Sequence, residues 1–492
     1  MLPSKALPEV PDEDSSPIGW APWLTHRRLT LFVIGWLVLF ALLSVFVSNP
    51  FQSEVNAAAT PDYAKVMFLH GLLIGMVGLM ALLTCQVMRL RSMHVRLWIA
   101  GGVVVATVLA AVGGIWDKTI PGSEVPMWTQ IFGFFALDEI LLLLVIGLIG
   151  EWRRGSLIAR TLPFVVAILA SASMLIAALM GHLAGWIMEF GNFPALIGDF
   201  SRFASYATID DFTGALVGSH SHQMAIGVMA LTIALVTQQF GQGIRTRASR
   251  VLANAGMAMV ILGTVGMTAI YVVSALANWS PPPVFESGPS GIASDDIVTG
   301  ILVMGGGVLV LVAFLLGGTL IHRSTRLAAA WSWVLSFATV VVAGYAIEMN
   351  EGFFGAGDQS VAGAANDAIF TWLHQDIGLF LLPAIVLVML AAELLVDRSK
   401  PLSWIGWSTI AGITAVFVGG LVYVFVTPSL FGPGYIITTL GLLIVGFALL
   451  ITLWWGAIGH TQRQVETRVH KPTLPSVSLE PEREEVKHEV HV

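Results

Sequence analysis

Five histidines fall inside long apolar stretches of this chain, and they are the residues best suited to chemistry. They are His70, His182, His220, His222 and His374. If these stretches cross a membrane, each histidine is costly to place there and is a functional candidate by default. Neutral imidazole is the commonest metal ligand, and two imidazoles suit an electron-transfer haem. The first interpretation is therefore metal or haem ligation, with a proton relay or substrate site and structural hydrogen bonding as alternatives.

Three of these histidines recur at a constant interval. His70, His222 and His374 are each 152 positions apart, and each precedes an aliphatic stretch with a glycine four or five positions on. This period predicts three four-helix units, with one inward-facing histidine in the second helix of each. At 1.5 Å per residue, all three lie roughly 10–15 Å below the outer membrane edge. Two of them could hold one planar cofactor between them, and His182 is predicted to share the same layer.

His220 and His222 are two positions apart, so on a regular helix their side chains point about 200° apart. They therefore cannot bind one metal ion from the same face of the helix, but they could serve cofactors on opposite sides of it. If the helix instead begins after Ser219, His220 is a cap or loop residue. We expect a second metal or haem site to involve His182, His220 and His222.

Membrane-spanning helices must position these side chains. The chain is 56% hydrophobic and only 11% charged, against about 25% charged residues in ordinary soluble domains. Its apolar runs have the length of about 20 residues that crosses a bilayer as a helix. The sequence therefore predicts an all-α polytopic membrane protein with twelve transmembrane helices. The predicted spans are 30–48, 64–88, 97–115, 128–150, 161–188, 212–240, 251–277, 298–321, 327–347, 367–396, 404–426 and 434–458.

The basic residues give the orientation. With twelve spans, all but three of the 24 Lys and Arg residues fall on one side, the exceptions being Lys65, Lys118 and Arg202. The positive-inside rule then places both termini in the cytoplasm. The expected location of the protein is the plasma (inner) membrane. The predicted domains are a cytoplasmic segment 1–29, a transmembrane domain 30–459 and a disordered cytoplasmic tail 460–492. The single Cys85 excludes a disulfide framework and a CxxC metal site.

Acidic residues are further candidates. Asp138 and Glu139 lie within the predicted fourth helix, and Asp376 follows His374 by two positions. The first two could transfer protons or pair with a cation, since an unpaired charge is costly there. Asp138 could also be a hydrated residue near the outer face. Asp376 could orient His374 as a hydrogen-bond partner, although the spacing of two positions is awkward.

This pattern resembles subunit I of the haem-copper oxidase and nitric oxide reductase superfamily. The family places a low-spin haem ligand in the second helix before a glycine, as His70-Gly71 stands here, and haem ligands in the tenth, where this chain has His374. Its sixth helix carries a copper ligand, at the place of His222. The resemblance covers nearly the whole membrane region. It implies twelve helices in three four-helix arcs (pseudo-threefold) and a low-spin haem between His70 and His374.

The chain also departs from that family. The predicted seventh helix has no histidine where the family has an adjacent pair, and Trp372 stands at the first position of the family's His-x-His in the tenth. The sixth helix lacks the family's Pro-Glu and tyrosine. The resemblance therefore implies a divergent relative that keeps the low-spin haem site and lacks the usual oxygen-reducing centre. No catalytic residue is assigned, and copper is left open.

We expect a haem-bearing redox subunit of a respiratory chain, with one or two haems of b type, that passes electrons near the outer membrane face. Whether it is itself an oxidoreductase is left open. Expected partners are a separate electron-donor protein or quinol, other membrane subunits and the lipid bilayer, with no nucleic acid. The alternative is a twelve-helix transporter that uses its histidines for protons or a metal substrate, although transporters usually show two halves. A third interpretation is a structural subunit without cofactors.

Overall fold

The computed structural model describes residues 26–47, 62–119, 124–155, 157–190, 208–241, 244, 246–277, 291–321, 323–348, 372–396, 398–425 and 432–469. For some helical residues, His70 and Asp376 among them, the side chain lies outside the description. Every regular element in the described ranges is helical. The helices are α1 (His26–Val47), α2 (Asp62–Val87), α3 (Met93–Thr119), α4 (Glu124–Arg153), α5 (Leu162–Phe190), α6 (Ile209–Phe240), α7 (Arg247–Ala277), α8 (Gly291–Leu316), α9 (Ser324–Glu348), a π-helical segment (Trp372–Leu381) continued by α10 (Leu382–Leu395), α11 (Ser399–Phe425) and α12 (Pro433–Val469).

Ten of the described helices are long and apolar enough to cross a membrane, and residues Leu72–Val87 of α2 form a shorter apolar run. A helix pairs the backbone groups of its interior within itself, which is what a hydrocarbon solvent requires. The chain is therefore a multi-pass, all-helical membrane protein, as predicted. That all twelve helices cross the membrane stays a prediction.

Helices α2, α6 and α10 occupy the centre of the bundle. Each contacts the other two, and α1 contacts α12, so the first and last helices are neighbours. In the apolar span of α6, 89% of the residues are buried, against 39% in the spans of α3 and α7. Every described side chain of α2 from Leu72 to Cys85 is buried as well. Burial on all sides places these helices in the interior. α2 and α6 carry two of the repeating histidines, and α10 continues the π-helical segment that carries the third.

Glycines let α7 and α8 approach closely. A Cβ at Gly256 of α7 would lie 2.5 Å from the carbonyl oxygen of Gly306 of α8. On the neighbouring side of α8, a Cβ at Gly307 would lie 2.5 Å from the indole of Trp333 in α9. The indole fits there and donates its Nε1–H to the Met304 carbonyl at 3.1 Å. The predicted helix through the three glycines is confirmed. It ends at Leu316, earlier than residue 321, because Gly318 turns the chain with φ of 74°.

The π-helical segment is anchored on α9 by hydroxyl groups. Pro383 has no N–H, so a π-helical hydrogen bond to the carbonyl five residues earlier, that of Gly378, cannot form. The Ser336 hydroxyl donates to that carbonyl at 2.6 Å, and the Ser332 hydroxyl donates to the Leu382 carbonyl at 2.8 Å. Both serines are buried. The wide helix that carries His374 is thus fixed against α9 by side chains.

The end of the bundle where α2 ends and α3 begins carries the described arginines, and we call it the basic end. Two buried carboxylates there are paired. Arg154 Nη1 donates to Glu151 at 2.6 Å, and Arg326 Nε lies 3.1 and 3.0 Å from the two oxygens of Glu393. Pairing removes the cost that an isolated buried charge would carry.

Arg27 of α1 joins two other helices at the basic end. Its Nη2 donates to the carbonyls of Leu395 and Gly456, at 2.9 and 2.8 Å. Leu395 is the last residue of α10, and its carbonyl has no partner within that helix, so the cation satisfies it. Gly456 lies within α12, so the same side chain also ties α10 to the side of α12.

Replacing Arg27 by alanine is therefore expected to lower the free energy of unfolding by about 2–3 kcal/mol, because the charged hydrogen bonds that join α1 to α10 and α12 are lost. The measurement is denaturant unfolding in detergent micelles. Arg27→Lys keeps the charge but has a shorter side chain and loses the hydrogen bond that Nε donates to the Gly456 carbonyl at 3.2 Å, so its stability should fall between the two. Wild-type stability of the alanine variant would show that Arg27 does not hold α10 and α12 together.

The last helix extends further than the sequence suggests. The predicted cytoplasmic tail begins at residue 460, whereas α12 continues to Val469. The extension includes Arg463, Glu466 and Arg468, and good helix formers of this kind can continue a helix beyond its apolar span. Residues 1–25 and 470–492 lie outside the described ranges.

Candidate functional site

His374 is the third residue of the π-helical segment, and its ring packs against α9. Its Nδ1 lies 3.1 Å from the carbonyl oxygen of Val340. A Cβ at Gly344 would lie 3.2 Å from the ring, so a glycine at this position lets the imidazole lie close to the α9 backbone. A carbonyl only accepts, so Nδ1 carries the hydrogen and the neutral ring keeps its lone pair on Nε2. This tautomer, fixed by a backbone carbonyl, is the one that a metal-ligating histidine commonly has.

His222 lies in the middle of α6 and has the same tautomer. Its Nδ1 lies 2.9 Å from the Gly218 carbonyl oxygen. Its ring is stacked on the phenol of Tyr271 in α7, with centroids 5.2 Å apart and planes inclined by 11°. The backbone carbonyl of Tyr271 in turn accepts a hydrogen bond from Ser219 at 3.2 Å. The ring of His222 is thus held between its own helix and α7.

His220 contacts a different neighbour, α5. Its Nδ1 lies 2.8 Å from the Ala177 carbonyl oxygen, and its ring occupies the space that a Cβ at Gly181 would need. The two histidines therefore face different helices, as the helical spacing predicted. The alternative of a cap or loop at His220 is wrong, because α6 begins at Ile209. Thr208 and Asp211 form a capping box there, which satisfies the first N–H groups.

His182 of α5 pairs with a carboxylate of α4. Its Nε2 lies 2.5 Å from Asp138 Oδ2, and the two side chains are 22% and 15% exposed. The ring also stacks on Phe135, with centroids 4.9 Å apart. The second oxygen, Asp138 Oδ1, is buried and accepts no hydrogen bond from the described residues. Glu139, the next residue, is exposed on the outside of the bundle.

The histidines form two groups in space. His222 and His374 are close enough to interact electrostatically, and so are His220, His182 and Asp138. Within the described part of the chain, no three His, Cys, Asp or Glu side chains converge so as to hold a metal ion. The three-histidine metal site stays a prediction, and the geometry gives His182 a carboxylate partner instead. The side chains of His70 and Asp376 lie outside the described residues, although α2 contacts the π-helical segment.

Several groups of this site carried no recognisable signal in the sequence. The carbonyl of Val340 and the surface of Gly344 are backbone features, which side-chain types do not reveal. Tyr271 is one of only six tyrosines and lies in an apolar stretch, a signal that could have directed attention to it. Gln223, a polar residue next to His222 in an apolar stretch, could have been noticed in the same way. In the structure it is buried, with its amide Nε2 3.6 Å from Met180 Sδ.

Comparison with known proteins gives this chain no relative. It matches no protein-family model, no curated protein and no solved structure. A functional conclusion must therefore be argued from the histidines, their partners and the helices that hold them.

Proposed function

We propose that the protein is a haem-binding membrane redox subunit, a divergent relative of the haem-copper oxidase and nitric oxide reductase subunit I, that transfers electrons near the outer membrane face. The observation that carries the proposal is the orientation of His374. Its Nδ1 donates to a backbone carbonyl at 3.1 Å, and this arrangement assigns the metal-binding lone pair to Nε2.

The helix contacts support the family's arrangement of twelve helices in three four-helix arcs. Helices α2 and α6 and the π-helical segment with α10 contact one another at the centre, and each bears one histidine of the 152-residue period. The second helix of each unit would then point its histidine to a common interior. Contact between α1 and α12 would close the ring of arcs.

His70 and His374 would be the two residues that hold a low-spin haem of b type. The π-helical segment contacts α2, and a π-turn is a frequent device for aiming a functional side chain. A haem bound there supplies one-electron transfer. The contribution of this chain is to hold the His374 ring at Val340 and Gly344 and to surround it with buried apolar helices, which exclude water.

His222 would serve a second haem or a copper ion beside the first. The same tautomer supports this role, and stacking on Tyr271 fixes the ring plane. If the protein lies in the plasma membrane with both termini in the cytoplasm, the layer of histidines would lie in the outer half of the bilayer. Electrons would then come from a separate protein or quinol, within an assembly of other membrane subunits.

A second candidate function is a twelve-helix transporter for protons or a metal substrate. The observation that favours it is the Asp138–His182 pair, a carboxylate and an imidazole 2.5 Å apart within membrane helices. Such pairs occur in proton relays of pumps and transporters. This pair belongs to α4 and α5 and not to the central helices, so both functions could coexist in one chain.

A reduced-minus-oxidised absorption spectrum of the purified protein, with a pyridine haemochrome assay, tests the proposal. The expected result is a bis-histidine low-spin spectrum and one or two b-type haems per chain. Sensitivity to carbon monoxide would then report an open haem at the second site. A colourless protein, expressed with ample haem, would overturn the redox proposal and favour the transporter.

A further inference from the structure

A cavity of about 670 Å³ opens at the basic end of the bundle, between the beginning of α11 and the side of α12. Its walls include Arg398 and Lys400, together with Trp404, Ile451 and Trp455. None of the candidate histidines lines it, and neither proposed function uses it. Cations, indoles and an aliphatic side chain around one opening indicate a ligand with a charged part and an apolar part.

The polar part of this cavity is cationic. Arg398 and Lys400 are exposed, and no carboxylate is among the described residues that line it. Arg398 lies over the Trp455 ring at 5.3 Å, so an aromatic face holds the guanidinium at the cavity wall. A neighbouring cavity differs in this respect, because Glu393 lines it beside Arg323 and compensates the charge. Among the described residues, the first cavity therefore has a positively charged lining, which favours an anionic group, whereas the lining of the second carries both signs.

The apolar part lies where a bilayer surface would be. Trp404 is 68% exposed, and Trp454, next to the cavity residue Trp455, is 65% exposed. Exposed tryptophans at the ends of membrane helices mark the level of the lipid head groups. Ile451 lies one turn deeper along α12, in the direction of the hydrocarbon core. A molecule held by the two cations would thus extend along α12 towards the lipid chains.

We propose that this cavity binds the phosphodiester head group of an anionic phospholipid. Arg398 and Lys400 contact the phosphate oxygens, the two indoles flank the glycerol region, and the first methylenes of an acyl chain pass Ile451. Basic pockets between membrane helices bind anionic head groups in this way. The lipid joins α11 to α12 at the basic end.

Native mass spectrometry of the delipidated protein in an uncharged detergent tests the proposal, with dioleoyl phosphatidylglycerol as the probe and dioleoyl phosphatidylcholine as its neutral counterpart. The wild type should retain one phosphatidylglycerol in preference to phosphatidylcholine. The double variant Arg398→Gln, Lys400→Gln should bind it on the order of 30-fold more weakly, because each cation near a lipid surface contributes about a factor of five.

The matched control is Arg153→Gln, Arg247→Gln, which removes two exposed charges at the same end of the bundle but outside the cavity. It should retain phosphatidylglycerol as the wild type does. Equal retention by the cavity variant, or equal loss in the control, would overturn the proposal. Displacement of the lipid by inorganic phosphate at matching concentrations would also overturn it, since that result would assign the site to a free anion. All four side chains are exposed, and unchanged unfolding temperatures will show that the variants fold.

Discussion

Replacing His374 by alanine is expected to remove the low-spin haem absorption from the reduced-minus-oxidised spectrum, and His70→Ala should do the same. Each variant would lack one of the two histidines that would hold the haem, and haem content should fall to about a tenth of wild type or less, since even changes to the partners of ligand side chains cost 10–100-fold in metal affinity. The measurement is the pyridine haemochrome assay per mole of chain, alongside the optical spectrum.

The matched control for this experiment is His94→Ala. His94 is an exposed histidine in the first turn of α3, at the basic end. The His94→Ala substitution should leave the haem content and the absorption spectrum unchanged. Unchanged spectra in both the His70 and the His374 variants would rule out the assigned ligand pair. Loss of haem only in the His70 variant would instead assign the second bond to a histidine other than His374.

The helical elements could be predicted from the sequence because lipid permits few solutions. A run of about 20 apolar residues in hydrocarbon must satisfy its own backbone, so hydropathy alone predicts a helix. Helix ends follow local chemistry that hydropathy does not measure. Gly318 ends α8 before the apolar run is over, whereas polar helix formers continue α12 to Val469. The repeat predicted one inward-facing histidine on α6, but neither the repeat nor the apolar content predicted that 89% of its span is buried.

The candidate site could be predicted as a set of positions but not as a set of contacts. The period identified His222 and His374, and the structure brings them within electrostatic range of each other. Their hydrogen-bond partners are backbone carbonyls, which every residue carries, so no side-chain pattern could reveal them. The π-helical geometry around His374 depends on Pro383 together with serines of α9, and those serines belong to another helix.

The sequence also could not pair Asp138 with His182. Each was a candidate by itself, but whether they meet depends on how α4 and α5 are rotated about their axes. That rotation is set by packing over the whole length of both helices. The structure places the two side chains 2.5 Å apart, on the side of the bundle where Phe135 covers the imidazole.

Breaking this pair should cost about 3–5 kcal/mol of unfolding free energy, because one partner would be left unpaired in a largely buried setting. Asp138→Leu removes the acceptor, and His182→Phe leaves the carboxylate without its partner, so both single variants should be destabilised. The double variant should recover most of the loss, since two apolar groups of similar shape replace both polar ones. Denaturant unfolding in detergent micelles measures all four members of this double-mutant cycle.

The double variant also separates structure from function. If the pair only joins α4 to α5, a stable double variant should keep its redox spectrum and, in proteoliposomes with a pH-sensitive dye, its proton exchange. If the pair carries protons, the double variant should keep its fold but lose proton uptake, because neither leucine nor phenylalanine titrates. Additive single-variant effects, with no recovery in the double variant, would show that the two side chains do not interact. Proton uptake by the stable double variant therefore decides whether the Asp138–His182 pair, whose buried Asp138 Oδ1 accepts no hydrogen bond from the described residues, belongs to a proton pathway.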